Sequence, residues 1–179
     1  MSNITYPRTL VAALTLSAAG FAGIALHEDY TDKAIIPIPG DRATVGLGST
    51  EYEDGKPVKM GDTITPPKAI RLSVSHIAKD ETQLRRCFGD AKLYQHEWDA
   101  YTSLSFNVGA GAVCASSIPA KVLAEQYDDA CKTILGFDKA RDCTKPMVWD
   151  AKKQKMVCPL VPVRGLTIRR QREYQQCLG

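Results

Sequence analysis

The chain has 179 residues, of which 44% are hydrophobic and 24% charged, a composition typical of globular proteins that argues against disorder. This length suits one compact domain, or one domain with an appendage. The formal charge of +3, without a basic stripe interleaved with aromatic residues, argues against nucleic-acid binding.

An uncharged stretch, Thr9–Leu26, follows Arg8 near the start of the chain. As one helix it would measure roughly 27 Å, at the lower edge of what crosses a bilayer. Eleven of its 18 residues are Ala, Gly, Ser or Thr, so we expect only a small free-energy gain on entering a membrane. Arg8 before the stretch, and Glu28 and Asp29 after it, predict that the N-terminus stays in the cytoplasm while the rest is exported.

We therefore predict an uncleaved signal anchor over residues 1–26 and a second domain over residues 27–179. The alternative is a signal peptide cleaved near Ala22–Ala25, where small residues have the spacing of a cleavage site. Cleavage there would leave Glu28 close to a frayed terminus. We expect a protein that is exported by secretion, tethered to the inner membrane and then released into the periplasm.

Six cysteines lie in the second half of the chain: Cys87, Cys114, Cys131, Cys143, Cys158 and Cys177. No Cys-x-x-Cys occurs and no histidine has metal-ligand spacing from them, so we expect neither a metal nor a cofactor. In an oxidising compartment they favour three disulfides, for which 15 pairings exist. Only Cys143–Cys158, on either side of a short polar loop, is a plausible local pair.

The remaining pattern is mostly helical. It predicts a loop or hairpin over Glu51–Asp62, a helix over Lys68–Cys87 entered at Thr65, a core helix within Ala91–Val108, a helix over Ser116–Gly136, an irregular segment over Asp138–Pro162 and a basic helix over Leu166–Gln176. Any small sheet is expected within about Ile35–Lys59.

Glu28 stands at the end of the apolar stretch, where a carboxyl can keep its proton near neutral pH, as a general acid must. Asp41 and Thr44 follow closely enough to return beside Glu28 if the chain between them forms a short hairpin. The pair Gly46-x-Gly48 lacks the third glycine and the lysine of a phosphate loop, so we assign it to a tight bend. Taken alone, Glu28 is more simply a surface carboxylate.

Five stretches, taken in order, change that interpretation. They are Glu28 with Thr44–Thr50 in the pattern Thr-x-Gly-x-Gly-x-Thr, Gly61–Thr65, Leu104–Gly111, Cys114 with Ser116-Ser117, and Gly165–Arg170 with Glu173 and Cys177 beyond it. In this combination the chain resembles the phage-type lysozymes, a glycoside hydrolase group that includes the signal-arrest-release endolysins. The weakly apolar Thr9–Leu26 is similar to the release-type anchors of that group.

The resemblance implies an α+β, mostly α-helical, lysozyme-like fold with a small N-terminal β-hairpin region and a C-terminal helical bundle. It implies that Glu28 is the catalytic acid and that Thr44 helps to hold the attacking water. Arg169 would face the catalytic glutamate, and Asn107 would pack behind the cleft as a supporting residue.

One departure concerns the second carboxylate. The family usually has an Asp nine residues after its Glu, where this chain has Pro37, and the spacing from Glu28 to Thr44 is one residue longer than usual. Asp41 is the nearest substitute. Asp32, or Thr44 with a water and no carboxylate, are the alternatives.

We therefore expect a monomeric endolysin that cleaves the glycan strands of peptidoglycan at the β-1,4 bond between N-acetylmuramic acid and N-acetylglucosamine. Its second partner would be the host inner membrane, through residues 9–26 before release. The alternatives are a lytic transglycosylase acting through Glu28 alone, and an inactive peptidoglycan-binding protein on the same fold.

Overall fold

The computed structural model describes residues 7–37 and 42–179. Its α-helices are α1 (Ala18–Ala25), α2 (Pro66–Phe88), α3 (Gln95–Val108), α4 (Ala110–Cys114), α5 (Ile118–Leu123), α6 (Tyr127–Thr133) and α7 (Arg164–Leu178), with short 3₁₀ helices at Val11–Ala13 and Ile134–Phe137. Its strands are β1 (Thr9–Leu10), β2 (Thr31–Ile35), β3 (Thr44–Gly46), β4 (Lys92–Leu93), β5 (Lys139–Arg141), β6 (Val148–Asp150), β7 (Lys155–Val157) and β8 (Leu160–Pro162). The predicted α+β, mostly helical fold is confirmed.

Two hydrophobic cores are joined by α2. Prolines stand in the first turn of this helix, where their missing N–H groups cost nothing, and Gly89 ends it with a φ of 57°. Near its start, Leu72 packs in a small core with Val45 and other residues of the β2–β3 region. Near its end, Leu84 and Phe88 pack in the large core. The helix therefore fixes the hairpin region relative to the helical bundle.

The large core surrounds α3, which is buried on every side from Glu97 to Ser105. Trp98, Tyr101 and Leu104 are fully buried, as the predicted core helix requires. Acidic and hydroxyl side chains are buried on the same helix, so α3 both packs the core and supplies acceptors for polar groups of its neighbours.

The predicted N-terminal hairpin consists of the antiparallel strands β2 and β3. Thr31 lies opposite Gly46, and Ile35 lies opposite Thr44. This hairpin begins three residues after Glu28, so the chain that leaves Glu28 returns toward it along β3.

Two predictions about the second half are wrong. The helix expected over Ser116–Gly136 is divided into α5, α6 and a 3₁₀ turn, because Glu125 adopts a left-handed φ of 58° that turns the chain between α5 and α6. The segment Asp138–Pro162, expected to be irregular, contains β5–β8, so sheet is not confined to Ile35–Lys59.

The stretch Thr9–Leu26 lies folded against the bundle in three pieces: β1, a 3₁₀ turn and α1. Val11, Leu14 and Ile24 are buried. None of the helices in the described ranges combines the length and hydropathy needed to span a bilayer.

All six cysteines are paired. Cys143–Cys158 is the pair predicted from the sequence, and the others are Cys87–Cys114 and Cys131–Cys177. The second of these attaches α6 to the C-terminal turn of α7, the helix that carries Arg169.

Candidate active site

Glu28 lies in the bend that follows α1, with its side chain 20% exposed. Arg169 Nη1, on α7, donates a hydrogen bond of 2.7 Å to Glu28 Oε1. The two residues are 141 positions apart in the sequence. The structure therefore brings together the two residues that the resemblance pairs.

The Arg169 guanidinium is itself held from behind by Glu173, one helical turn further along α7. Arg169 Nε donates to Glu173 Oε1 at 3.2 Å, and Ser103 of α3 donates to the same oxygen at 2.8 Å. Because Arg169 binds two carboxylates through two different nitrogens, its position and orientation are fixed. Of the two Glu28 carboxyl oxygens, Oε1 therefore accepts a hydrogen bond from this fixed guanidinium.

Asn107 belongs to the next layer of this network. Arg170 Nη2 donates to Asn107 Oδ1 and to Glu173 Oε1, each at 3.1 Å. Burial raises the pKa of Glu173, while the charge of Arg170, the hydrogen bond from Ser103 and the charge of Arg169 lower it. Asn107 therefore bonds to Arg170, the neighbour of Arg169, and its role as a supporting residue stays a prediction.

The Gly46–Gly48 turn lies on the other side of Glu28. Val45 and Ser49 exchange backbone hydrogen bonds of 3.0 and 3.1 Å, and Gly46 and Gly48 have φ values of 68° and 77°. A Cβ on Gly48 would lie 3.2 Å from Glu28 Oε2, so a side chain there would crowd the second carboxyl oxygen. The glycines allow both the tight bend and this close approach.

Thr44 begins β3, two residues before that turn, and is partly exposed. Asp32 lies exposed on β2, and Pro37 follows the end of β2. Asp41 lies outside the described residues. The structure therefore places Thr44 on the strand that leads to Glu28.

The N-terminal stretch donates hydrogen bonds to buried carboxylates that were not predicted from the sequence. Glu81 accepts from the Leu16 backbone N–H at 2.6 Å and from the Trp98 indole at 2.8 Å. Asp99 accepts from Ser17 N and Oγ, at 2.9 and 2.5 Å. The signal available in the sequence was that Glu81 lies three residues before Leu84 and Asp99 lies next to Trp98, so each carboxylate is close to a core position of its helix.

Arg8 secures the start of the same stretch. Its guanidinium makes a bidentate contact with buried Glu97, at 2.8 and 3.1 Å, and lies over the rings of Tyr94 and Tyr127. These contacts anchor the chain that leads into α1 and hence to Glu28.

Within residues 7–37 and 42–179, no group of three His, Cys, Asp or Glu side chains is placed to hold a metal ion. The chemistry open to the site is proton transfer by a carboxylic acid whose conjugate base is stabilised by a fixed arginine.

Known proteins share both the sequence pattern and the fold. The endolysin of Salmonella phage P22 is 31% identical over 111 residues, which cover 62% of this chain and 71% of that protein. An endolysin from Escherichia coli O157:H7 phage FAHEc1 superposes with a TM-score of 0.77 at 24% identity, covering 93% of this chain and 94% of the other.

The P1 phage endolysin Lyz has structures of two forms. The active form gives a TM-score of 0.69 at 19% identity, covering 97% of this chain and 96% of the other. The secreted inactive form gives 0.52 at 20% identity, covering 92% and 96%. The fold of this chain is therefore more similar to the active form. Residues 25–173 match the phage lysozyme family model, and the chain belongs to the phage lysozyme family, whose members act on peptidoglycan.

Proposed function

We propose that the chain is an endolysin that hydrolyses the β-1,4 bond between N-acetylmuramic acid and N-acetylglucosamine, with Glu28 as general acid. The observation that carries the proposal is the position of Glu28 between the fixed Arg169 guanidinium, 2.7 Å away, and the Gly46–Gly48 turn. A lone surface carboxylate would not need a partner from the far end of the chain.

In this mechanism Glu28 protonates the oxygen that leaves with the departing sugar. Arg169 already binds Oε1, so the proton is carried by Oε2, the oxygen next to Gly48. As the proton leaves, negative charge develops on the carboxylate, and the Arg169 guanidinium stabilises it without having to move. Glu173 keeps that guanidinium in place throughout.

A water attacks the opposite face of the sugar. We assign its placement to Thr44 and its activation to Asp41, an inverting arrangement that requires carboxyl groups roughly 6.5–9.5 Å apart. Asp41→Asn should reduce glycan cleavage at least about 100-fold, the usual effect of removing an acid–base group. Asp32→Asn is the matched control, and loss of activity in that variant alone would mean that Asp32 is the base.

The residue at position 37 favours a second candidate. Pro37 cannot act as a base, which favours a reaction that needs no second carboxylate. A lytic transglycosylase is such an enzyme, because the muramyl 6-hydroxyl replaces water and Glu28 alone would suffice. Mass spectrometry of the fragments from purified peptidoglycan separates the reactions. Reducing ends support the hydrolase and 1,6-anhydro ends the transglycosylase, whereas intact strands that bind the protein would indicate an inactive relative.

We also propose that Thr9–Leu26 first enters the inner membrane and becomes part of the enzyme only after release. The stretch is uncharged and weakly apolar, which suits reversible insertion. In the folded chain its backbone N–H groups donate hydrogen bonds to Glu81 and Asp99. The stretch ends two residues before Glu28. Membrane insertion would remove these contacts, so Glu28 would lose the support that holds it opposite Arg169.

A further inference from the structure

The segment between the 3₁₀ turn at Ile134–Phe137 and α7 forms a long hairpin, which we name the hairpin arm (residues 139–162). β5 pairs with β8 at its base, β6 pairs with β7 toward its tip, and the disulfide Cys143–Cys158 joins its two sides. No residue of the arm is buried. The arm therefore contributes nothing to either core, and its side chains are available to another molecule.

Large apolar side chains are concentrated on the arm. They are Met147, Val148, Trp149, Met156 and Leu160, with 47–62% of their surface exposed. Trp149 and Met156 are direct cross-strand partners, so their side chains lie on the same face of the hairpin. Neighbouring exposed apolar side chains of this size, rather than single ones, are typical of an interaction surface.

Positive charge is concentrated on the same element. The arm carries six basic and two acidic residues, a formal charge of +4 compared with +3 for the whole chain. Arg141 donates a hydrogen bond of 2.7 Å to the Cys158 carbonyl and forms an ion pair with Asp150 at 3.9 Å. Among the described residues, none accepts a hydrogen bond from, or forms an ion pair with, the five lysine ammonium groups of the arm, at positions 139, 145, 152, 153 and 155.

The tip presents two of these lysines in a fixed turn. Asp150 Oδ1 accepts from the backbone N–H groups of Lys152 and Lys153, each at 3.1 Å, and Gln154 adopts a positive φ of 47° that closes the turn. The backbone of the tip is therefore held by hydrogen bonds, while both lysines are exposed.

We propose that the hairpin arm binds the surface of an anionic phospholipid bilayer. Tryptophan favours the interface between lipid headgroups and hydrocarbon, and the Met156 side chain on the same face can enter the outer hydrocarbon. Lysines beside them are attracted to anionic headgroups. A glycan would use the Trp149 ring but has no use for the Met156 thioether on the same face. The inference is independent of the muramidase proposal.

The test measures partitioning of the folded, full-length protein onto vesicles. Phosphatidylglycerol vesicles and phosphatidylcholine vesicles are compared by co-sedimentation, and binding is also followed by tryptophan fluorescence. The chain has two tryptophans, and Trp98 is fully buried, so a blue shift on binding reports on Trp149. We expect binding to phosphatidylglycerol, with the shift, and at least about tenfold weaker binding to phosphatidylcholine.

Two variants separate the apolar and the charged contributions. The double variant Trp149→Ser/Met156→Ser and the double variant Lys152→Glu/Lys153→Glu should each weaken partitioning at least about tenfold. The matched control, Ile70→Ser/Leu123→Ser, removes two equally exposed apolar side chains outside the arm and should bind as the parent does. All three should cleave purified peptidoglycan at the parental rate.

Equal binding to both lipids, or unchanged binding by the arm variants, would overturn the proposal, and in the second case Thr9–Leu26 would be the membrane contact. Loss of sedimentation with purified peptidoglycan in the arm variants, without an effect on vesicles, would identify a glycan as the occupant instead. A dimer that the arm variants dissociate would identify a second copy of the chain.

Discussion

At the scale of single residues, the site depends on an arginine that contacts two acids at once. Arg169 binds Glu28 through Nη1 and Glu173 through Nε. The pairing of Glu28 with Arg169 could be predicted, because the motifs around both residues resemble a known family. The role of Glu173 could not, because nothing in the sequence indicates that its carboxylate lies behind Arg169 rather than in solvent.

Arg169→Lys should lower the turnover number about 100-fold while the protein stays folded, because one ammonium cannot reproduce two directed contacts and Glu28 would be misplaced by about 1 Å. Arg172→Lys, on the same helix and exposed, is the matched control and should be near the parental rate. Initial rates of clearing of purified peptidoglycan check this. Parental activity in Arg169→Lys would mean that charge alone suffices.

His27, next to Glu28, makes the fold sensitive to pH. Burial lowers the pKa of His27, and the charges of Arg169, Arg172 and Arg170 lower it further. Because its pKa is lower in the folded chain, the stability it contributes is complete above the unfolded value of about 6.5 and is lost as pH falls through the folded pKa.

We therefore expect the free energy of unfolding of the parent to decrease, relative to that of His27→Gln, as the pH is lowered from about 7.5 to about 5. Urea unfolding at several pH values measures this difference. Parallel profiles for the two proteins, or a parent that gains stability in acid, would show that His27 is not opposed by the arginines.

At the scale of secondary-structure elements, α2, α3 and α7 follow from helical periodicity and clear end signals. The turn at Glu125 does not, because a left-handed glutamate has no sequence signature. The hairpin arm could not be predicted because its strands are only three residues long, with Pro146 and Pro159 between them, so their alternation is not visible.

The folded structure of Thr9–Leu26 could not be predicted from its composition either. Its lack of charge predicts a membrane helix, whereas in the folded chain it is short pieces whose polar groups are satisfied by acids on other elements. Composition describes the segment alone and cannot reveal that partners exist elsewhere in the chain.

Two glycines of α1 test how this element packs. A Cβ on Gly20 would lie 2.8 Å from Asp99 Cγ, a group held by hydrogen bonds from Ser17, and 2.7 Å from Leu16 Cδ1. Nothing lies within 4 Å of a Cβ on Gly23. Gly20→Ala should destabilise the fold by roughly 1–3 kcal/mol, and Gly23→Ala should stabilise it by roughly 0.5–1 kcal/mol.

Thermal and urea unfolding of the two variants measures the difference. Both substitutions change the hydropathy of the stretch equally, so their effects on membrane insertion should match. If the variants had equal stability, Gly20 would not pack against Asp99 as described. Replacing both glycines with leucine should retain the protein in membranes and remove soluble activity.

At the scale of the whole molecule, the disulfides hold two different kinds of structure. Cys131–Cys177 closes a separation of 46 residues between buried positions, whereas Cys143–Cys158 closes 15 residues within the exposed arm. The first joins core elements and the second shapes only a peripheral element.

Cys131→Ala/Cys177→Ala should therefore lower the free energy of unfolding by about 4 kcal/mol. Cys143→Ser/Cys158→Ser should leave both the global unfolding transition and the cleavage of purified peptidoglycan close to the parent, because no residue of the arm is buried. Calorimetry and clearing assays check both. Global unfolding of the second variant would mean that the arm is part of the cooperative fold.

Glu28, held by Arg169, is the residue that we expect to supply the proton. The most direct measurement compares Glu28→Gln with Asp29→Asn, its exposed neighbour, in clearing purified peptidoglycan after both have been shown to unfold like the parent. Glu28→Gln should be at least about 100-fold slower than the parent, and Asp29→Asn should be unchanged. A Glu28→Gln enzyme that clears peptidoglycan at the parental rate would contradict the account.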